Sequence, residues 1–220
     1  MKKIFLAVSS ACLLLASPMT WSQEYMFTYS KLYSQLKNNL TDGHHDVRVG
    51  IFFVNGQTKQ LCDIEKAWME KEEHYEEFVI PASKELPVPL DENLKSANPL
   101  VFVQTPESER CDYSLVVMTK DKLQGNVAYE EISYLLPQMQ SLLEDLGGTF
   151  ASWFTPTVEG VTLEFAQGLN SHLIFSNGTT KSITNGKVQI SLDEIGEGES
   201  ITLPQATTRV LPYLPNAKKS

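Results

Sequence analysis

Three Asn-Gly dipeptides, Asn55-Gly56, Asn177-Gly178 and Asn185-Gly186, each adjoin runs rich in β-branched and aromatic residues. Asn and Gly tolerate the left-handed backbone that a two-residue hairpin turn demands, so this pattern reads as a chain reversing on itself in antiparallel β-structure. Val47 to Val54 reads as one strand, with Lys59 to Met69 as its hairpin partner, and Cys62, Ile64 and either Ala67 or Trp68 must then face the core. Leu100 to Gln104 and Cys111 to Met118 are strands by composition, flanking the polar turn Pro106 to Arg110. Beyond Gly160 the same texture returns in Val161 to Ala166, Ser171 to Ser176, Lys187 to Leu192, Glu199 to Leu203 and Thr207 to Tyr213. Between these regions, Glu70 to Glu77 reads as a solvated bend or strand edge, and Pro81, Pro87 and Pro89 exclude a regular helix.

Two stretches switch to helical spacing. Ser30 can cap a short helix reaching about Asn39, with Leu32, Tyr33 and Leu36 on one side. Ser133 can cap a second, 133–147, whose Leu135, Leu136, Met139, Leu142, Leu143 and Leu146 form an apolar stripe ending at Gly147-Gly148. Pro137 suits only the first turn of such a helix. The expected fold is mainly β (α+β), with two β-sandwich-like or barrel-like modules, each preceded by a short helix. The polar stretch Asp121 to Asn126 divides them into 23–124 and 125–220. A local match, Leu86-x-Val88-x-Leu90-Asp91-Glu92 against Val188-x-Ile190-x-Leu192-Asp193-Glu194, suggests that the halves repeat at an offset of 102 residues.

The start of the chain sets the compartment. Lys2 and Lys3 precede an apolar stretch from Ile4 to Ala16, Pro18 breaks it, and Thr20 and Ser22 place small residues before a cut between Ser22 and Gln23. Residues 1–22 therefore read as a signal peptide, and the expected location is the periplasm. A lipoprotein signal at Cys12 fits less well, because Ser9 to Ala11 put no leucine at minus three and Leu13 to Leu15 follow it. No later run approaches the roughly 18 apolar residues of a membrane span, so no membrane anchor is expected. Losing the two leader lysines takes the formal net charge from −9 to −11, a surface that repels nucleic acid. The cysteines remaining, Cys62 and Cys111, form an even pair and are expected as one disulfide.

Chemistry-bearing motifs are sparse. The sequence contains no G-x-S-x-G, P-loop, H-E-x-x-H or EF-hand loop. Asp42-Gly43-His44-His45-Asp46 gathers ligand types, making His44, His45 and Asp46 candidate metal ligands, although adjacent histidines reach one ion with difficulty and a closed site needs about four ligands. Paired acids such as Glu72-Glu73, Glu76-Glu77, Asp91-Glu92, Glu130-Glu131 and Asp193-Glu194 do not supply two carboxyls facing across a cleft. Phe150, Trp153 and Phe154 read as an apolar plug for the second helix, with ligand stacking as the alternative. No cofactor is expected.

Three segments carry a family likeness: Tyr29-Ser30-x-Leu32-Tyr33-x-x-Leu36-Lys37, Val47-x-Val49-Gly50-Ile51-Phe52-Phe53, and Pro156-x-Val158-x-Gly160-Val161. Together they resemble a family of exported Gram-negative periplasmic proteins classed as a domain of unknown function, family 2987. The resemblance implies a periplasmic location and brings no site residues with it. The expectation is a non-catalytic binding or accessory protein of the cell envelope, whose partner is another envelope protein or a glycan. The alternative is an envelope hydrolase, metal-dependent through the His44-His45 loop.

Overall fold

The computed structural model describes residues 22–148 and 155–215. Residues 1–21 of the expected signal peptide, together with Phe150, Trp153 and Phe154, lie outside the described residues. The fold is mainly β, with several open antiparallel sheets, small helices and no closed barrel among the described residues.

The first half runs β1 (Ser22–Thr28), α1 (Tyr29–Leu36), β2 (Val47–Asn55), β3 (Lys66–Lys71), β4 (His74–Glu77), α2 (Glu92–Ala97), β5 (Leu100–Pro106) and β6 (Cys111–Thr119). The second runs β7 (Asn126–Ala128), α3 (Tyr129–Gly147), β8 (Gly160–Glu164), β9 (Ser171–Phe175), β10 (Thr180–Ile183), β11 (Lys187–Ser191), α4 (Leu192–Ile195), β12 (Ser200–Thr202) and β13 (Arg209–Tyr213). One sheet has the order β1-β5-β3-β4, and its counterpart has the order β7-β12-β9-β10. Likewise β2 pairs with β6, and β8 pairs with β13.

The correspondence extends to register. Thr28, Phe27 and Met26 face Leu100, Val101 and Phe102, while Ala128, Val127 and Asn126 face Ser200, Ile201 and Thr202. The Tyr29 N–H donates to Pro99 O at 2.9 Å, and the Tyr129 N–H donates to Glu199 O at 2.9 Å. Asp91 and Ser191 each cap a short helix through the side chain. These pairs all stand 100 residues apart, two residues off the local sequence match. That match aligned a segment of irregular backbone, 86–90, with β11. The segment nonetheless runs beside β2, through Leu86 N–H donating to Ile51 O at 2.9 Å, much as β11 runs beside β8.

Several local expectations change. The partner of β2 is β6, because the chain after Asn55-Gly56 keeps only a short ladder, with Cys62 N–H donating to Phe53 O, before β3 leaves for the other sheet. Helix α1 starts at Tyr29 with no side-chain cap from Ser30 or Thr28, and residues 37–40 continue as a 3₁₀ turn. Helix α3 begins at Tyr129, four residues before Ser133; Glu131 accepts from the Ala128 N–H at 3.0 Å, and Pro137 falls in the helix interior. An interior proline costs about 3 kcal/mol. Ile132, Leu135, Leu136, Met139 and Leu142 are all buried, each contributing roughly 2 kcal/mol by leaving water, which outweighs that cost.

One contiguous cluster of buried side chains runs through both halves, from Tyr29 and Leu32 to Ile201 and Val210. Helix α3 packs against β2, β6 and β8, and β13 lies beside β6, so the halves share this core. Cys62 and Cys111 are joined by a disulfide, S–S 2.07 Å, with both residues buried. The bond ties the segment before β3 to the start of β6, and the Tyr25 hydroxyl donates to the Cys111 carbonyl beside it.

Candidate binding face

The expected ligand-bearing residues do not converge. His44 is buried, with its Nε2 2.9 Å from Asp145 Oδ2 on α3 and its Nδ1 without a partner among the described residues. His45 is exposed, and Asp46 is held by Gln138, whose amide oxygen accepts from the Asp46 N–H at 3.0 Å and whose Nε2 donates to Asp46 Oδ2 at 3.1 Å. The histidine loop thus fastens the first half to α3. His74 on β4 and His172 on β9 stand on different sheets. Among the described residues, the group with metal-holding geometry is Cys62, Glu109 and Cys111, and its two sulfurs are already bonded to each other. The paired acids serve locally: Asp91 caps α2, while Glu130-Glu131 and Asp193-Glu194 occupy first helical turns, where the dipole favours negative charge.

A cavity of about 160 Å³ lies between the halves, lined by Arg48, Phe52, Glu85, Met118 and Arg209 among others. Both of its guanidinium groups are engaged. Arg48 pairs with both carboxylate oxygens of Glu85, which holds it above its ordinary pKa, and Arg209 pairs with Glu164 while lying 5.2 Å over the Phe52 ring.

The sheet β1-β5-β3-β4 carries a different arrangement. Its inward residues, Val101, Val103, Ala67 and Met69 among them, are buried, and alternation turns their neighbours outward. Register aligns those outward side chains in three rows: Glu24, Gln104, Lys66; then Met26, Phe102, Trp68, Glu77; then Thr28, Leu100, Glu70, Tyr75. Met26 is 63% exposed, Tyr75 53% and Leu100 37%, while Trp68 and Phe102 are half-buried. Trp68 and Phe102 stack with centroids 5.1 Å apart and planes 10° apart, and Tyr75 lies 6.4 Å from Trp68. The Lys66 ammonium stands 5.2 Å from the Trp68 centroid and 5.6 Å from that of Tyr75, with Glu77 at 3.7 Å. The Tyr75 hydroxyl foremost, then Glu77, raises the pKa of Lys66.

In the second half, the row matching Met26-Phe102-Trp68-Glu77 reads Asn126, Thr202, Ile174, Thr180. The same scaffold position is thus built without an aromatic residue, so the sheet does not require aromatics there for its fold. Composition alone does not expose this patch, since Trp68 and Ala67 compete for the core until strand parity is known. The signal lay in the alternation of Lys66, Trp68 and Glu70 against Ala67 and Met69.

The family described as proteins of unknown function (DUF2987) matches residues 21–165, which covers all of the first half and continues through α3 and β8. No curated protein and no solved structure matches the chain. With well over half of its length matched and the resembling segments falling on α1, β2 and the stretch leading into β8, the chain belongs to the DUF2987 family of proteins of unknown function.

Proposed function

We propose that this protein is a non-catalytic binding or accessory module of the cell envelope, exported to the periplasm through residues 1–22. It would engage another envelope protein or a glycan through the outer face of the β1-β5-β3-β4 sheet. The single observation behind this reading is the outward-facing row Met26, Phe102, Trp68, set at a position that the second half fills with Asn126, Thr202 and Ile174. Aromatic residues and methionine are enriched at interfaces, the aromatics because they bury much area for little lost side-chain freedom. Clustered apolar exposure of this kind marks interaction sites.

Export is supported by the leader pattern and by the Cys62–Cys111 disulfide, which persists in an oxidising compartment. A cut after Ser22 leaves Gln23 to Thr28 available to pair with β5. No helix among the described residues is long and apolar enough to cross a membrane. The test is a photo-crosslinking residue at position 102 in living cells, with position 202 as the matched control. A discrete adduct at 102 and none at 202 supports the reading; equal or absent adducts at both overturn it. N-terminal sequencing of the recovered protein should begin at Gln23.

A further inference from the structure

We infer that the face receives a cationic, apolar polypeptide segment, an inference that rests on the binding role proposed above and names its partner class. Three carboxylates, Glu24, Glu70 and Glu77, share the outward rows with a single cation, Lys66. The face is therefore negative and carries an apolar centre. Lys66 already shows what chemistry it holds: an ammonium seated against the Trp68 and Tyr75 rings with a carboxylate beside it. An incoming lysine or arginine finds a carboxylate beside an aromatic ring at Glu70, whose Oε2 accepts from Trp68 Nε1 at 3.1 Å and whose residue remains exposed. Aliphatic neighbours on the incoming segment would cover Met26 and Leu100.

Two other occupants fit this surface less well. A pyranose stacks on a bare aromatic face, yet the Trp68 ring already packs against Phe102, parallel to it at 5.1 Å, and carries the Lys66 ammonium 5.2 Å from its centroid. A second copy joined through this same face would set three carboxylates against three. Complementary charge instead steers a basic segment toward it.

The test is titration of the purified, leader-free protein with a synthetic octapeptide of alternating lysine and leucine, read by chemical-shift changes in the backbone amides. An octapeptide of alternating glutamate and leucine and a neutral chito-oligosaccharide are the comparison probes. The expected result is saturable binding of the Lys/Leu peptide, with shifts confined to β1, β3, β4 and β5 and affinity falling at least tenfold between low and high salt. Trp68→Ala should weaken it at least tenfold, as should the surface pair Glu70→Gln with Glu77→Gln, which leaves the apolar packing intact. Lys66→Ala should tighten it severalfold, because the internal cation no longer competes, while Ile174→Ala should leave it unchanged. Equal binding of the Glu/Leu peptide, binding of the sugar in its place, or weaker binding in Lys66→Ala would overturn the inference. A discrete in-cell adduct at position 102 without Lys/Leu binding sinks this inference alone, whereas no adduct at 102 sinks the binding role with it.

Discussion

His44 of the loop before β2 and Asp145 near the end of α3 meet at 2.9 Å across 101 residues of sequence, and the imidazole is sealed from solvent. Among the described residues its other ring nitrogen has no partner, and Asp145 is the group that satisfies this buried ring. Replacing Asp145 by Ala leaves both nitrogens unpaired, a change worth about 1–3 kcal/mol in a buried setting. Asp145 is 47% exposed, so water can partly replace it and the loss should fall near the lower end. Urea denaturation of Asp145→Ala should show this loss with an unchanged m-value.

Pro137 stands at an exposed position within α3, where it withholds one backbone donor. Pro137→Ala restores that donor and removes the ring clash, so the variant should gain about 1–3 kcal/mol. A lower thermal midpoint than wild type would contradict this account.

The Cys62–Cys111 bond has a sequence separation of 49. Restricting the unfolded chain over that length is worth about 4 kcal/mol on the entropy model. The double variant Cys62→Ala with Cys111→Ala should lose about 2–4 kcal/mol, and a reducing agent should shift the wild-type denaturation midpoint in the same direction.

Gly160 opens β8 against β11 so closely that a Cβ there would lie 2.0 Å from Ile190 O and 2.6 Å from Ser191 Cα. Backbone cannot swing aside as a side chain can, so Gly160→Ala should cost about 3 kcal/mol or more. Gly168 has open space around it but sits at φ +80°, so Gly168→Ala should cost only about 1–2 kcal/mol. Paired denaturation curves should preserve that order.

The Tyr33 hydroxyl donates to Glu92, and this bond foremost, followed by Lys95, lowers the Glu92 carboxyl below its ordinary 4.5. A carboxyl with a depressed folded-state pKa stabilises the fold fully above its unfolded value and loses that contribution as pH falls through the folded value. Stability should therefore decline below about pH 4.5, and Glu92→Gln should flatten that part of the profile. Equilibrium unfolding between pH 2 and 7 reads this directly.

The three Asn-Gly pairs show how far local chemistry reaches. Asn185 and Gly186 both adopt positive φ, the paired left-handed turn that the dipeptide favours. At Asn177-Gly178 only the glycine does, and at Asn55-Gly56 neither does, the left-handed residue there being Lys59. All three reverse the chain, yet the strand partner differs: β10 runs on toward β11 through a Thr184–Lys187 bridge, whereas β2 finds its long partner in β6. A turn fixes only the residues next to it, and the remaining ladder goes to whichever segment buries both faces of a strand such as β2, whose Val47, Val49, Ile51, Phe52 and Phe53 are all sealed.

Sequence by itself determined the β-rich class, the two reversals flanking β10, the helical faces of α1 and α3, and the pairing partner available to Cys62, because each follows from local periodicity or from there being one other cysteine after residue 22. Tertiary structure alone decided that His44 meets Asp145, that α3 extends back to Tyr129 around an interior proline, and that Trp68 rather than Ala67 turns outward beside Phe102. Those outcomes depend on which distant surfaces compete for the same buried area, a comparison no window of neighbouring residues contains.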